Sequence, residues 1–350
     1  MKNKKTNLLV DMSPILYGNT FSATNYIKKD KSVKVKKIEG KWNLDQYKDI
    51  IIQKIIEEIS GLKNKFNLSK EDDIILAFDN SNNGYWRKDV WAGYKSKRKK
   101  SRDESDIQWD KAFELFQELK EVLDKCSDTK VVDVPRAEGD DIIFVLSEYF
   151  DKNNENVIIY SSDHDFLQCC TENVQFWKTT RTQGMENSTF CDVNKEDVKE
   201  IIKEHIISGD PNDGFYHLKS YTKFSPLFLE KYPQLEGKEI SAYSKRFQIE
   251  MAFKEKYGED AEAYKHPRFG YKMLKRSKKT LKDILKENKI HKMNYEMNKK
   301  LALPENIPDD IKNEIINSYK KYHNLSDFNC FSNFLLKYRL FELSSLIVNL

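Results

Sequence analysis

Short apolar runs in the first half of the chain alternate with longer segments whose apolar residues recur at helical spacing. The runs are five or six residues long, as expected of buried strands: Asn7–Asp11, Ile74–Asp79, Lys130–Val134 and Val157–Ser162. The helical segments between them are Leu44–Leu62, Trp109–Leu123 and Asp140–Phe150. Strands separated by helices of this length predict an α/β fold with a mostly parallel central sheet flanked by helices.

The pattern changes after about Cys191, where strand-like runs become scarce. Four further segments have helical spacing: Glu196–Ile207, Tyr243–Lys256, Leu281–Lys286 and Ile311–Tyr319. The stretch LPENIP predicts a turn before a helix that opens at Asp309 or Asp310. We therefore expect an α/β domain over residues 1–190 and a mainly helical domain over residues 191–350.

Composition excludes several classes of protein. The chain has no apolar run of about 18 residues, so no membrane span or membrane contact is expected. Its five cysteines are scattered and form no CxxC pair, which predicts free thiols rather than a disulfide framework or a zinc site. The first apolar stretch is too short for a signal peptide, and we expect a cytoplasmic protein.

Acidic residues follow the predicted strands at one edge of the sheet. Asp11 and Asp79 each end a strand, Asp163 and Asp165 follow another, and Glu138, Asp140 and Asp141 open a helix. Asp210 and Asp213 lie in the GDPND turn beyond the predicted domain boundary. Any one of these acids could be an ordinary turn former or helix cap. Because carboxylates gathered at one edge repel each other, together they predict divalent cations, and pairs of Mg²⁺ ions are typical of phosphodiester hydrolysis.

The net charge of +4, from 60 basic and 56 acidic residues, conceals two basic stretches. Trp86–Arg102 holds eight basic residues, one acidic residue and three aromatic rings; Lys265–Lys300 holds 13 basic and three acidic residues. Basic side chains bind phosphates and aromatic rings stack on unpaired bases, so the first stretch predicts contact with nucleic acid. The second stretch could equally be a solvated helix face.

Six motifs occur in this order along the chain: LLVDMS, FDN, YKSKR, EGDD, SSDHDF and GDPND. In this order and spacing they resemble the 5′-nuclease (flap endonuclease) superfamily, from about residue 7 to the C-terminus. Within the superfamily the sequence is similar to the ribonucleases H of T-even-type phages. The resemblance implies a PIN-like nuclease domain, a basic arch near residues 84–106 and a helical DNA-binding domain.

Site residues carried over from the matching motifs fall into three groups. The first Mg²⁺ would be held by Asp11, Asp79, Glu138, Asp140, Asp141 and Asp163, and the second by Asp165, Asp210 and Asp213. Mn²⁺ would substitute for Mg²⁺. Lys95 would stabilise charge on the scissile phosphate, and the nucleic-acid contacts would be Arg87, Tyr94, Lys95, Arg98, Lys275, Arg276, Lys278 and Lys279.

The implied activity is 5′→3′ exonuclease, flap endonuclease and ribonuclease H cleavage that removes lagging-strand RNA primers. The substrates would be DNA and RNA–DNA hybrids with a 5′ end or flap. A single-strand-binding protein and a sliding clamp are the implied protein partners, and we expect a monomer in the cytoplasm of the infected host cell if a phage encodes it. The alternative is a catalytically silent nucleic-acid-binding relative, which complete retention of the motif acids disfavours. A phosphatase with Asp11 as nucleophile is also disfavoured, because Ser13 stands where a second acid is needed.

Met12 and Gly139 replace a frequent Gly and a frequent Ala of the family, and two further features also depart from its pattern. His164 lies between two predicted ligands, and we interpret it as exposed rather than catalytic. The segment after Asp213 lacks the glycine-rich loop that binds a monovalent cation in cellular members, so the grip on duplex DNA is expected to differ.

Overall fold

The computed structural model describes residues 4–30, 32–179, 189–191, 195–210, 212–215, 217–219, 269–287, 289–321 and 327–350. The predicted helix Tyr243–Lys256 and much of the segment after Asp213 lie outside these residues.

Eight strands form one six-stranded sheet and one small hairpin. The strands are β1 (Thr6–Asp11), β2 (Lys37–Ile38), β3 (Lys41–Trp42), β4 (Asp73–Phe78), β5 (Lys130–Asp133), β6 (Asn156–Ser161), β7 (Val174–Lys178) and β8 (Thr189–Phe190). The sheet has the order β5-β4-β1-β6-β7-β8, in which only β8 runs antiparallel to its neighbour. The four predicted strands and the mostly parallel sheet are confirmed. The hairpin and the β7–β8 edge were not predicted.

Twelve helices and four 3₁₀ segments are described. The helices are α1 (Met12–Lys29), α2 (Lys48–Lys65), α3 (Arg87–Val90), α4 (Arg98–Asp103), α5 (Trp109–Cys126), α6 (Gly139–Lys152), α7 (Lys195–Ser208), α8 (Tyr271–Arg276), α9 (Leu281–Glu287), α10 (Lys289–Ala302), α11 (Asp309–Lys320) and α12 (Phe328–Lys337). The 3₁₀ segments are Leu44–Gln46, His164–Cys169, Pro304–Asn306 and Phe341–Asn349. In the described part of the chain, no helix is long and apolar enough to cross a membrane.

The central strand β1 is buried on both faces, which explains its uninterrupted apolar sequence. Leu8 and Val10 join a hydrophobic cluster with α1, α2 and α5, whereas α6 packs against β1, β4 and β6. The chain adds β4 and β5 on one side of β1 and later adds β6 and β7 on the other side. Binding sites in such sheets form beyond the carboxyl ends of the strands, where the direction in which strands are added reverses. In this sheet that point is the end of β1, which is Asp11.

The chain divides into two compact units. The first unit comprises Met1–Tyr85, Lys100–Val193 and Ile307–Leu350; the second comprises Trp86–Lys99 and Asn194–Asn306. Sequence patterning placed the boundary near residue 190 and assigned everything beyond it to one helical domain. In the structure, the last 44 residues instead pack with the sheet, because their apolar faces find partners there.

The C-terminal return is held by packing and by a polar network. Helix α11 packs on α6 and β5, and α12 packs on α5. Tyr319 of α11 donates its hydroxyl hydrogen bond to Asp73 Oδ2 at 2.9 Å. The same carboxylate receives Lys5 at 2.6 Å and Lys130 at 2.7 Å. Burial raises the pKa of Asp73, but Lys130 and Lys5 together lower it by more, so the pKa lies below its usual value. The network fixes α11 to the start of β4.

A disulfide joins Cys126 of α5 to Cys330 of α12, across 204 residues of sequence. The prediction of free thiols is therefore wrong for this pair, and it stands for Cys169, Cys170 and Cys191. The spacing of the cysteines along the chain gave no signal, because the pairing depends on α12 returning to the first unit.

Candidate active site

Asp11 is the best-defined acid at the carboxyl edge of the sheet. It ends β1, caps the N-terminus of α1 and is only 3% exposed. Its Oδ2 accepts a hydrogen bond from the Ser161 hydroxyl at 2.6 Å, and its Oδ1 accepts one from the Ser13 backbone at 3.2 Å. The pKa of Asp11 is raised to about 7, mainly by burial; the charges of Asp79 and Asp163 also raise it, and the hydrogen bonds from Ser161 and Ser13 lower it. The three carboxylates therefore lie close enough to interact.

Asp79 lies just beyond β4 and connects that strand to α6. Its Oδ1 accepts a hydrogen bond from the backbone of Gly139 at 2.7 Å, and its Oδ2 accepts one from the Ser13 hydroxyl at 2.9 Å. A Cβ at Gly139 would lie 3.2 Å from the carbonyl oxygen of Ala77 and 3.4 Å from Asp79 Oδ1. Glycine therefore suits a position where the first turn of α6 approaches β4 closely.

The acids of the EGDD motif occupy the N-terminus of α6. Glu138 and Asp141 form a capping box, in which Asp141 Oδ2 accepts from the Glu138 backbone at 2.9 Å. Both side chains are buried, whereas Asp140 is half-buried. Negative charge is favourable at a helix N-terminus, which helps this end of the helix to hold buried carboxylates.

Asp163, which is exposed, and Asp165, which is half-buried, follow β6 at the start of the 3₁₀ segment His164–Cys169. Asp163 caps the 3₁₀ segment His164–Cys169, and its Oδ1 accepts from the Asp165 backbone at 2.9 Å. His164 is exposed, as the sequence predicted, and it contacts Lys178. The partial removal of its ring from water and the charge of Lys178 lower the pKa of His164.

Two serines connect these carboxylates and were not identified from the sequence. Ser13 donates its backbone N–H to Asp11 and its hydroxyl to Asp79. Ser161 donates its hydroxyl to Asp11 and accepts the backbone N–H of Asp163 at 3.0 Å. The only sequence signal was their position beside acids in VDMS and SSD. The serines orient the carboxylates of Asp11 and Asp79 and hold the backbone at Asp163.

The donor set suits a hard cation, although the side chains are not gathered as direct ligands. Among the described residues, no group of three Asp, Glu, His or Cys side chains is placed to hold a metal ion. The oxygens instead accept from serines and backbone amides. Mg²⁺ keeps several waters and binds through one or two carboxylates, so the interacting acids Asp11, Asp79 and Asp163 fit such an ion.

Asp210 and Asp213 belong to the second unit. Helix α7 ends where Gly209, at φ +68°, donates its N–H to the His205 carbonyl at 2.9 Å, and Asp210 follows directly. Burial raises the pKa of Asp210, as does the charge of Asp213. These two carboxylates therefore form a second acidic pair.

The predicted basic contacts near this pair are already engaged with protein groups. Asp213 Oδ1 receives Arg98 at 2.6 Å, while its Oδ2 receives the Tyr94 hydroxyl at 3.1 Å and lies 3.9 Å from Lys95 Nζ. Tyr94 is buried, which does not suit the predicted stacking on a terminal base. Arg87 is buried too, donates to the Leu301 carbonyl at 3.1 Å and lies over the Trp86 ring. This placement favours packing over the predicted phosphate contact.

The second basic stretch is partly neutralised within its own unit. Lys275 pairs with Glu200 and Lys279 pairs with Glu287, both at 2.5 Å. Arg276 and Lys278, the other two predicted contacts, are exposed.

Three comparisons with known proteins found similar chains. The model of the 5′-3′ exonuclease N-terminal resolvase-like domain matches residues 8–203. The chain is 25% identical over 288 residues to the ribonuclease H of Enterobacteria phage T4, covering 81% of this chain and 79% of that protein. It is 28% identical over 185 residues to a 5′-3′ exonuclease of Buchnera aphidicola, covering 53% of this chain and 60% of that protein.

A solved structure of the bacteriophage T5 flap endonuclease, in a pseudo-enzyme–product complex with DNA and metal ions, matches with a TM-score of 0.48. The match has 14% identity and covers 91% of this chain and 100% of that one. The family match covers 196 of 350 residues, and it includes every strand end that carries a predicted acid. The resemblance inferred from the motifs is thus confirmed, and the chain belongs to the 5′-3′ exonuclease family of nucleases.

Proposed function

We propose that the chain is a Mg²⁺-dependent 5′→3′ exonuclease and flap endonuclease with ribonuclease H activity. It would act near the 5′ ends of DNA and RNA–DNA duplexes and remove lagging-strand RNA primers. The observation that carries the proposal is the buried Asp11, whose carboxylate interacts with Asp79 and Asp163 at the carboxyl edge of the sheet. A nuclease that uses divalent cations needs such negative charge where the scissile phosphate would bind.

The proposed metal ligands keep the assignment made from the motifs. Asp11, Asp79, Glu138, Asp140, Asp141 and Asp163 would hold the first Mg²⁺, and Asp165, Asp210 and Asp213 would hold the second. When bound, these ions would make a water more acidic and offset charge on the phosphate. Mn²⁺ would substitute, because its ligand preference is similar.

The chain's own side chains have separate tasks in this proposal. Ser13 and Ser161 hold Asp11 and Asp79 in fixed orientations through their hydrogen bonds. Lys95 and Arg98 would bind the scissile phosphate and stabilise the charge that develops on it. Arg276 and Lys278 are exposed cations that could contact a duplex backbone.

Cleavage of 5′-labelled flap, nicked and RNA–DNA hybrid substrates across a Mg²⁺ titration tests the proposal, with EDTA as the control. Asp163→Asn should lower the cleavage rate at least about 100-fold while leaving folding and most DNA binding intact. Asp128→Asn removes the same charge from an exposed turn and should cleave normally. Binding without Mg²⁺-dependent cleavage in the wild type would instead indicate the silent relative.

The proposed setting is the cytoplasm of the host cell, where the enzyme would act as a monomer. A single-strand-binding protein and a sliding clamp are the proposed partners, from the primer-removal role alone. The molar mass in solution, measured by light scattering, tests whether the protein is a monomer. Cleavage rates with and without each partner protein test the associations.

A further inference from the structure

Asp213 is surrounded by the side chains that are proposed to bind phosphate. Arg98 reaches Oδ1 at 2.6 Å, the Tyr94 hydroxyl reaches Oδ2 at 3.1 Å, and Lys95 Nζ lies 3.9 Å from Oδ2. The ammonium of Lys95 also lies 5.2 Å from the centre of the Tyr94 ring. The side chains of Lys95 and Asp213 are 9% and 19% exposed, so this contact is largely removed from solvent.

The backbone fixes the same two segments together. Lys95 donates its N–H to the Asp213 carbonyl at 2.8 Å, and the Trp91 indole donates to the Gly214 carbonyl at 3.0 Å. Gly214 has φ +84°, and a Cβ there would lie 2.4 Å from the Gly93 carbonyl oxygen. The side chain of Asp213 is therefore held against Lys95 and Arg98 by geometry that does not depend on their charges.

Lys95 occupies an unfavourable backbone position. Its φ of +53° lies in the left-handed region, which costs a non-glycine residue on the order of 1 kcal/mol. The position fixes where the Lys95 side chain starts from the backbone. In the structure its ammonium group faces Asp213.

Arg98 and a metal ion compete for the Asp213 carboxylate, because two cations at one carboxylate repel each other. A guanidinium that binds Asp213 is also less available to phosphate. We infer that Asp213 is a latch, which holds Arg98 and Lys95 while its carboxylate carries no metal ion. A divalent cation that takes the carboxylate releases both basic side chains to the phosphate of a nucleic acid. Asp213 is then a positioning residue as well as a metal ligand. The inference rests on the proposed metal-dependent nuclease function.

The latch predicts that a metal-free protein lacking Asp213 binds nucleic acid more tightly. We expect Asp213→Asn to tighten binding of a fluorescein-labelled 5′-flap DNA about two- to fivefold in EDTA, the range typical of a partly exposed ion pair. Asp210→Asn is the matched control. It removes an equal charge three residues away, from a carboxylate that accepts a hydrogen bond from the Asn212 backbone at 2.8 Å.

A double-mutant cycle with Arg98→Ala separates the latch from a general change of charge. The gain from Asp213→Asn should become smaller when Arg98 is already alanine, because only Lys95 is then left to be released. Anisotropy titrations of the full chain supply the affinities, and circular dichroism checks that each variant folds. Equal gains from the Asp210 and Asp213 variants, or an undiminished gain in the Arg98→Ala background, would overturn the inference.

The reverse coupling gives a second measurement that does not need an Asp213 variant. Because linkage is reciprocal, Arg98→Ala should tighten Ca²⁺ binding about two- to fivefold in calorimetry without DNA. Lys99→Ala, which removes a nearby exposed charge, should have a smaller effect. Equal Ca²⁺ affinities in the two variants would contradict the latch. Neither measurement involves cleavage, so loss of the proposed activity and loss of the latch are distinguishable.

Discussion

Replacing the buried Asp11 with asparagine should stabilise the metal-free protein at pH 8 while removing most cleavage. The carboxylate is buried, and the charges of Asp79 and Asp163 face it. Its charged form is therefore disfavoured in the folded state relative to the unfolded chain. Asparagine has nearly the same shape as the protonated acid and carries no charge.

The size of the effect follows from the pKa of Asp11, which rises from 3.8 to about 7 on folding. At about 1.4 kcal/mol for each pKa unit, charging Asp11 costs the folded state about 4 kcal/mol. The value already includes the hydrogen bonds from Ser161 and Ser13 to the charged form. We therefore expect the free energy of unfolding of Asp11→Asn to exceed that of the wild type by about this amount.

The difference in stability between Asp11→Asn and the wild type depends on pH. Because the folded state holds the Asp11 proton more tightly, the stability of the wild type falls as pH rises from about 4 through 7. The variant lacks this titration, so the two proteins should be equally stable near pH 4 and differ fully at pH 8. A gain of this size corresponds to roughly 10 °C in the unfolding temperature of a unit of about 200 residues.

Scanning calorimetry in EDTA at several pH values measures this difference, with the exposed Asp128→Asn as the control. Added Mg²⁺ should narrow the gap by stabilising the wild type more than the variant. The reasoning fails if Asp11→Asn is no more stable than the wild type at pH 8. It also fails if the difference is the same at pH 4 and pH 8.

Three further predictions concern packing. Asp73→Asn leaves two lysines without their shared partner and should lower the free energy of unfolding by about 3 kcal/mol, measured by urea titration. Thiol titration of the unfolded, unreduced chain should count three free cysteines, and five after reduction. Cys330→Ser removes the disulfide and should lower the free energy of unfolding by about 2–4 kcal/mol. Because Cys126 then lacks its partner, adding a reductant should not change the stability of this variant further. Gly214→Ala would press a methyl group against the Gly93 carbonyl, and we expect weaker DNA binding by anisotropy with the second unit destabilised by about 2 kcal/mol.

Sequence patterning predicted the sheet because its strands are short, apolar and followed by acids. It did not identify α1, because that helix buries the polar residues Asn19, Thr20 and Thr24 among its apolar ones. Local hydrogen bonds satisfy these groups: each threonine hydroxyl bonds a carbonyl four residues earlier at 2.8 Å, and Asn19 bonds Glu58. Burial of satisfied polar groups cannot be read from hydrophobic spacing alone.

The candidate site was predictable where a carboxylate follows a strand, as at Asp11, Asp79 and Asp163. The environment of each group was not predictable. Arg87 and Tyr94 have the composition of a nucleic-acid contact, yet both are buried by partners distant in sequence. Ser13 and Ser161 have ordinary local sequences, and their role appears only when two strand ends meet. The motifs therefore predict where the acidic residues lie, whereas tertiary contacts decide which side chains are exposed to a ligand.

The return of Ile307–Leu350 to the first unit has a consequence for synthesis on the ribosome. Domains generally fold as they emerge, but this unit receives its last helices only after the whole second unit has been translated. At about 5–20 residues per second, residues 194–350 need roughly 10–30 s. During that time the face of α5 on which α12 later packs, and the face of α6 on which α11 later packs, remain exposed to solvent. The nascent first unit would thus be a natural client for chaperones until the final segment arrives.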